Sequence, residues 1–151
     1  MKINYIPRLS MSLNKRECGS CTKCCDGWLS GPKYGYHVYP GKPCHFLKNK
    51  KCSIHFARPT SCSTYNCLWL IDETVPENFK PEHTNTILTL RNENNFKYIE
   101  AKSAGGNMPV QMLNWLFTLM QKKKINIYFQ INDEWNWWGT DDFVKYMNSF
   151  K

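Results

Sequence analysis

Cysteine is absent from residues 1–17 and from residues 68–151, although the chain has eight cysteines. All eight lie in residues 18–67, a segment that also has almost no acidic residues, since Asp26 is its single carboxylate. Thiolates are soft ligands that capture zinc, copper(I) and iron–sulfur cores. A cysteine run this dense indicates a metal centre, and inference about function starts from this segment.

Long apolar runs are also absent. The longest, Val110–Met120, is interrupted by three polar residues, so no segment resembles a transmembrane helix. Residues 1–8 do not have the continuous apolar core of a signal peptide. We therefore expect a cytoplasmic protein that does not associate with membranes. In that reducing compartment, clustered cysteines are more often metal sites than disulfides.

Disulfide bonding is the alternative explanation for so many cysteines. Eight of them allow 105 pairings, and four bridges could staple a small secreted fold. The missing export signal, the 42% hydrophobic content of a 151-residue chain and the adjacent Cys24-Cys25 pair all argue against it. We expect residues 1–151 to form a single domain.

The net charge of +8 raises the question of nucleic-acid binding. Residues 18–67 carry +6 of this charge, whereas residues 68–151 carry −1. Metal binding deprotonates thiols, so eight thiolates would reduce the +6 to −2, and two centres of about +2 each would restore about +2. The lysines of this segment are therefore expected to balance an anionic metal site, and a nucleic-acid partner is not expected.

Residues 18–67 are predicted to form a cysteine-rich, loop-dominated, metal-binding lobe. Glycine and proline recur through the segment and break helices and strands. The metal would therefore act as its core. Two short elements are predicted: a strand at Lys2–Ile6, before the lobe, and a helix at Ser53–Ala57, with Ser53 as N-cap and Pro59 ending it.

Residues 68–151 are predicted to form a small α+β scaffold, so the fold class of the chain is α+β. Helical spacing of apolar residues, alternation of apolar with polar residues and turn residues mark its elements. They are a hairpin of strands Thr84–Arg91 and Phe96–Lys102, a helix at Pro109–Gln121, a strand at Ile125–Ile131, and a helix capped by Thr140 that runs to about Phe150. Loops are expected at Pro76–Pro81 and Ser103–Pro109.

The number and spacing of the cysteines favour iron–sulfur over zinc. Tetrahedral zinc and a cubane cluster each take four thiolates, so eight thiols suffice for two sites, or for one site with four cysteines left for another purpose. Cys18, Cys21 and Cys24 have the spacing of bacterial ferredoxins. Structural zinc sites usually add a second Cys-x2-Cys knuckle, but the last four cysteines are separated by seven, nine and four residues. The predicted ligands are Cys18, Cys21, Cys24, Cys25, Cys44, Cys52, Cys62 and Cys67.

The division of these thiols between sites is left open by the sequence. Neighbouring side chains of an extended chain point in opposite directions, so Cys24 and Cys25 rarely ligate one ion. One of them could serve each of two centres, or one could stay unligated. His45 and His55 are further candidates, either as ligands or as hydrogen-bond donors around the site. Arg58 is expected to donate to backbone carbonyls or to site sulfurs.

Aromatic residues surround the cysteines and recur near the end of the chain. We expect the first group to shield a cluster from water, although such rings could also stack on bases. The second group is expected to give one face to the core. The two groups are Trp28, Tyr34, Tyr36 and Tyr39, and Trp135, Trp137 and Trp138.

Five short motifs follow one another in residues 17–67. They are Cys18-x2-Cys21-x2-Cys24-Cys25, Pro43-Cys44-His45-Phe46-Leu47, Cys52-Ser53-Ile54-His55, Arg58-Pro59 and Cys62-x2-Tyr65-x-Cys67. Their order resembles the YkgJ-like CxxCxxCC family of zinc- or iron-chelating proteins. The resemblance implies cysteine-held metal, either zinc or an iron–sulfur cluster, and implies no particular reaction. His55 stands where the family has Tyr and Ser63 where it often has Arg, and neither change removes a thiol.

Three functions are compatible with these features. The first, which the spacing favours, is a redox or cluster-binding protein with one or two iron–sulfur centres, of the [4Fe-4S] type, that pass electrons to a partner protein. The second is a structural zinc module that presents an interaction surface. The third, a metal-dependent enzyme, is disfavoured because no acid pair, Ser/His/Asp set or phosphate loop accompanies the cysteines.

Overall fold

A computed structural model describes residues 16–18, 21–63, 65 and 67–150. It contains both helices and sheets, as expected of an α+β fold. The predicted strand at Lys2–Ile6 lies outside the described residues. Within the described ranges, no helix has the length and the apolar character that crossing a bilayer requires.

The cysteine segment is built from two small hairpins and short turns. Antiparallel strands β1 and β2 form the first hairpin, and β3 and β4 form the second. A single π-helical turn precedes them, and a 3-10 turn and the four-residue helix α1 follow. The elements are the π turn Cys24–Trp28, β1 Gly31–Lys33, β2 Tyr36–Val38, β3 Leu47–Lys48, β4 Lys51–Cys52, the 3-10 turn His55–Ala57 and α1 Thr60–Ser63.

The predicted helix at Ser53–Ala57 is wrong in its start and in its type. The backbone N–H of Ser53 donates to the carbonyl of Phe46 at 2.8 Å, which closes the β3–β4 hairpin. Ser53 therefore caps nothing, and only the 3-10 turn His55–Ala57 forms. Arg58 is extended, as expected for the residue before a proline.

The second part is a mixed four-stranded sheet with helices. The strand order is β5-β6-β7-β8, in which β5–β6 and β7–β8 are antiparallel and β6–β7 is parallel. Helix α4 connects the two parallel strands, as such a crossover requires. The elements are α2 Leu68–Ile71, a 3-10 turn Glu77–Phe79, α3 Pro81–Thr84, β5 Thr86–Glu93, β6 Phe96–Ser103, α4 Val110–Lys123, β7 Asn126–Ile131, β8 Glu134–Trp138 and α5 Asp141–Asn148.

The predicted hairpin of β5 and β6 is confirmed. Asn94 and Asn95 have φ of 50° and 66°, the left-handed pair that a two-residue hairpin turn needs. Strand β5 begins two residues later than predicted, because the short helix α3 occupies residues 81–84. Asn85 then ends that helix in the left-handed region, with φ of 53°.

Strand β8 was missed by the sequence prediction, which placed its tryptophans only near the end of a strand. They lie within an edge strand that pairs with β7. Trp138 packs at 4.4 Å from the ring of Phe129, whereas Trp135 stacks at 4.2 Å on Tyr128. Aromatic side chains thus cover both faces of the edge strand, so the apolar-to-polar alternation that marks a strand is weak.

The helices α4 and α5 are confirmed, and each differs from its predicted end by two residues. Met112, Leu116 and Leu119 form the buried side of α4. The Thr140 hydroxyl accepts the N–H of Phe143 at 3.4 Å and caps α5. The core of the sheet also includes Leu68 and Trp69 of α2, so the chain enters the core immediately after the last cysteine.

Candidate metal centre

All eight cysteines line one cavity of about 610 Å³ between the cysteine segment and α2. All are free thiols, of which Cys18 is exposed and the other seven are partly buried. The predicted ligands, which are spread over 50 residues of sequence, therefore meet at a single place. Backbone hydrogen bonds explain how each of them is brought there.

The first cysteines are positioned by tight turns. The N–H of Cys21 donates to the carbonyl of Cys18 at 2.8 Å. The π turn that begins at Cys24 contains Gly27, which has φ of 113°. A Cβ on Gly27 would lie 2.1 Å from the carbonyl oxygen of Tyr39. Glycine is thus required both by the backbone conformation and by the close approach of the next loop.

Substitution Gly27→Ala is expected to destabilise the loaded protein by about 2–4 kcal/mol, because backbone strain and a clash act together. Gly35→Ala is the matched control, since Gly35 has φ of 85° with nothing within 4 Å of the added methyl. Thermal unfolding of both variants separates the clash from the strain. Equal loss of stability in the two would show that the contact with Tyr39 is unimportant.

Cys25, Cys44 and Cys52 are joined by main-chain bonds. The N–H of Cys44 donates to the carbonyl of Cys25 at 2.7 Å. A turn then leads into β3, where Leu47 pairs with Cys52 of β4. Cys62 lies in α1, and its N–H donates to the carbonyl of Pro59 at 2.9 Å.

Cys67 is attached through its backbone to the four-stranded sheet. It forms an isolated antiparallel bridge with Thr89 of β5, and its carbonyl accepts the N–H of Leu70 at 2.9 Å at the start of α2. The hydroxyl groups of Tyr65 and Thr89 are 2.8 Å apart in a hydrogen bond. The last ligand is therefore attached to the most regular part of the molecule.

Arg16 was not predicted as a site residue, yet it fastens the start of the cysteine segment. Its Nη1 donates to the carbonyls of Trp69 and Asp72 at 2.7 and 3.0 Å. Its Nη2 donates to the carbonyl of Val75 at 2.6 Å. The guanidinium also lies over the Trp69 ring, 4.9 Å from its centroid. The residue type could have indicated this role. Lysine is far commoner than arginine in this chain, and donation from one planar group to several acceptors requires arginine.

Burial and mutual repulsion disfavour ionisation of the thiols. Burial raises the pKa of Cys24 far above its ordinary value, and four neighbouring thiols raise it further. Those neighbours are Cys67, Cys21, Cys25 and Cys18. Burial also raises the pKa of Cys25 to about 12, and its contributing neighbours are Cys44, Cys52, Cys62 and Asp26.

The same causes act on two other cysteines. Burial raises the pKa of Cys67 to about 11, with further contributions from Cys18 and Cys21. Burial and Cys21 raise the pKa of Cys18. So many thiols would ionise together only if a cation neutralised them, and a bound metal would do so by displacing the protons.

The donor set therefore fits a thiolate-held metal. Within the part of the chain that the structure describes, no three or more His, Cys, Asp or Glu side chains form a group that could hold a single ion as they stand. The thiols instead surround the cavity, close enough to affect one another's ionisation.

Positive charge surrounds the same cavity. Glu17 is the only acidic residue among the described lining residues, against seven basic ones. These are Arg16, Lys23, Lys33, Lys50, Lys51, Arg58 and Lys80. Lys33 is only 4% exposed, and its Nζ donates to the hydroxyl of Ser61 at 3.1 Å. No carboxylate of a described residue pairs with it, and a buried ammonium needs a neighbouring anion.

The two candidate histidines differ in position. His55 lines the cavity, whereas His45 does not. His45 is exposed and stacks on Tyr36 at 3.8 Å, so the prediction of His45 as a ligand is not supported by its position.

Arg58 donates to the carbonyl of His55 at 2.8 Å, and Asp26 accepts from the Thr22 hydroxyl at 3.0 Å.

The predicted shielding of the site by the first aromatic group is wrong. None of those four side chains is among the described residues that line the cavity, and Tyr34, Tyr36 and Tyr39 are about half exposed, at 59%, 46% and 51%. The β1–β2 hairpin turns its other face inward, with Lys33 and Val38 buried. Apolar cover comes instead from Leu29, Val38, Phe46, Ile54, Trp69 and Leu70.

The eight thiols that line the cavity thus come from separate stretches of the cysteine segment. Those stretches are positioned by the side chain of Arg16, by Gly27 and by main-chain hydrogen bonds. Comparison of the chain with family models, with curated proteins and with solved structures found no match.

Proposed function

We propose that this protein holds one or two cysteine-ligated iron–sulfur centres of the [4Fe-4S] type and exchanges electrons or cluster with a partner protein. The observation that carries the proposal is that all eight cysteines line one cavity whose other charged residues are overwhelmingly basic. Kinship with the YkgJ-like CxxCxxCC family is part of the proposal, and it rests on the order of the five motifs in residues 17–67.

The sequence spacing of Cys18, Cys21 and Cys24, which is that of bacterial ferredoxins, favours a cluster over a single zinc ion, and the size of the cavity is compatible with it. Zinc holds four sulfurs at about 2.3 Å, so its ligands must converge on one point. A cubane core separates its four cysteine sulfurs, because each binds a different iron. A cavity of about 610 Å³ that is lined by eight thiols has the room that a cluster needs.

The charges are consistent with such centres. Four thiolates around a core of about +2 carry a net charge of about −2. The seven basic residues at the cavity offset this charge. Buried positive charge also favours the reduced form of a centre, so residues such as Lys33 would raise its reduction potential.

The chain's own residues would hold the centres and limit the access of water. When bound, an iron–sulfur cluster supplies electron transfer. Leu29, Val38 and Phe46 exclude water from one side of the cavity. Cys18 is exposed, so its side of the site is the one that a partner protein can approach.

Anaerobic purification tests this proposal. We expect a brown protein with visible absorption, and equal amounts of iron and acid-labile sulfide. With two cubane centres the content is about eight iron atoms per chain, and with one it is about four. Material reconstituted with zinc alone is the control for protein lacking clusters.

Two results would overturn the proposal. A colourless protein that retains zinc under these conditions would replace the redox role with that of a structural zinc module. Metal-free native protein whose sulfurs are bridged to one another would exclude any thiolate-held centre.

A further inference from the structure

A backbone turn and the side chain of Arg16 bring one group of four cysteines together. The turn from Cys18 to Cys21 is closed by a 2.8 Å hydrogen bond, and Cys24 follows three residues later. Arg16 fastens this stretch to α2, and Cys67 is the residue from which α2 starts. The same four thiols are electrostatic neighbours.

Separate contacts bring the remaining four together. The backbone N–H of Cys44 donates to the carbonyl of Cys25, and Cys52 lies in strand β4 of the β3–β4 hairpin. Two bonds tie the β1–β2 hairpin to the stretch that contains Cys62. Lys33 Nζ donates to the Ser61 hydroxyl at 3.1 Å, and the Tyr34 hydroxyl donates to the carbonyl of Ala57 at 2.6 Å.

The boundary between the groups falls at the peptide that joins Cys24 to Cys25. Both residues begin the π turn Cys24–Trp28, where consecutive side chains leave the backbone in different directions. Cys24 also has Cys25 as an electrostatic neighbour, so the two groups meet at this peptide. Cys25 has all three other members of the second group as electrostatic neighbours.

We infer that the eight thiols form two four-thiol centres, Cys18/Cys21/Cys24/Cys67 and Cys25/Cys44/Cys52/Cys62, joined through the single peptide between Cys24 and Cys25. The inference rests on the proposed function and gives its site a definite number of centres and a ligand set for each. Every thiol is used once and none is left over.

The adjacency of the centres has a functional meaning. Consecutive Cα atoms are about 3.8 Å apart, so two clusters bound by consecutive residues lie next to each other. When bound, adjacent clusters would supply electron transfer between the two centres, and the residues that would hold them on either side are Cys24 and Cys25.

Paired substitutions test the division of the ligands. Two variants remove two thiols of the same centre: Cys18→Ala/Cys67→Ala and Cys44→Ala/Cys62→Ala. A third, Cys44→Ala/Cys67→Ala, removes one thiol from each centre. We expect the first two variants to keep half of the wild-type iron and sulfide and the third to lose nearly all of it. Lys122→Ala, on the exposed last turn of α4, is the control with full content.

The outcomes separate this inference from the proposed function. If zinc replaces iron and the counts still fall to half and to none, the ligand division holds and the iron–sulfur function fails. If the cross-centre variant keeps as much metal as the others, or if wild-type protein holds one centre only, the division is overturned.

A measurement on wild-type protein covers the case in which the variants do not fold. During slow chelation, alkylation followed by mass spectrometry should label the thiols in two blocks of four with the membership stated above. Electron paramagnetic resonance of the fully reduced protein should show a spectrum broadened by interaction between adjacent spins. Alkylation of Cys24 and Cys25 in the same block would contradict the inference.

Discussion

Chelation of the metal is expected to unfold residues 18–67 while the four-stranded sheet and α4 stay folded. Metal binding and folding are coupled in lobes of this kind, and structural thiolate sites contribute about 10–16 kcal/mol in small zinc domains. The sheet has its own buried core, in which Leu88, Ile99 and Met112 are almost fully inaccessible. Hydrogen exchange measured by mass spectrometry should show loss of protection in β1 to β4, with protection kept in β6 and β7.

Incubation with chelator already saturated with metal is the control for effects of the chelator itself. The prediction fails if complete removal of metal leaves exchange in residues 18–67 unchanged, because the segment would then have a core of its own. It also fails if the sheet unfolds together with the segment.

Replacement of Arg16 by alanine is expected to cost about 2–4 kcal/mol of folding free energy, because charge-assisted bonds to several carbonyls are lost. The stretch that contains Cys18 would then no longer be fastened to α2. Iron should be released to a chelator at least about tenfold faster from the centre that includes Cys18 and Cys67. Stopped-flow absorption with a coloured iron chelator measures this rate.

Arg91→Ala is the matched control for the loss of an arginine. Arg91 is exposed and pairs with Glu100 at 3.3 Å on the sheet, and such surface pairs contribute little. Arg16→Lys tests the planar geometry, since an ammonium cannot donate to three carbonyls in the same way. Iron release from Arg16→Ala at the rate of Arg91→Ala would show that the contact with α2 does not position the ligands.

The scaffold was largely predictable because its elements follow local rules. Alternating apolar residues marked β7, helical spacing marked α4, and the Asn94-Asn95 turn marked the hairpin of β5 and β6. Strand β8 escaped because its tryptophans are distributed over both faces of an edge strand. The short helix α3 escaped because it depends on packing around Pro81 and on the left-handed Asn85.

The candidate site was predictable in its donors and not in its arrangement. Cysteine spacing identified the eight thiols, since spacing is a property of the chain itself. The contact of Arg16 with α2 joins residues more than 50 positions apart, and no local pattern records it. For the same reason the sequence did not show that Tyr34, Tyr36 and Tyr39 face outward, or that Leu29 and Phe46 cover the cavity.

The bridge between Cys67 and Thr89 ties the last cysteine to the sheet. Under the proposed function, folding of the sheet would therefore position one sulfur before any iron is bound. A donor that delivers iron and sulfide would find this ligand already in position. The other cysteines would then be brought to the metal by closing shorter loops, at a smaller entropic cost than if all eight sulfurs were untethered.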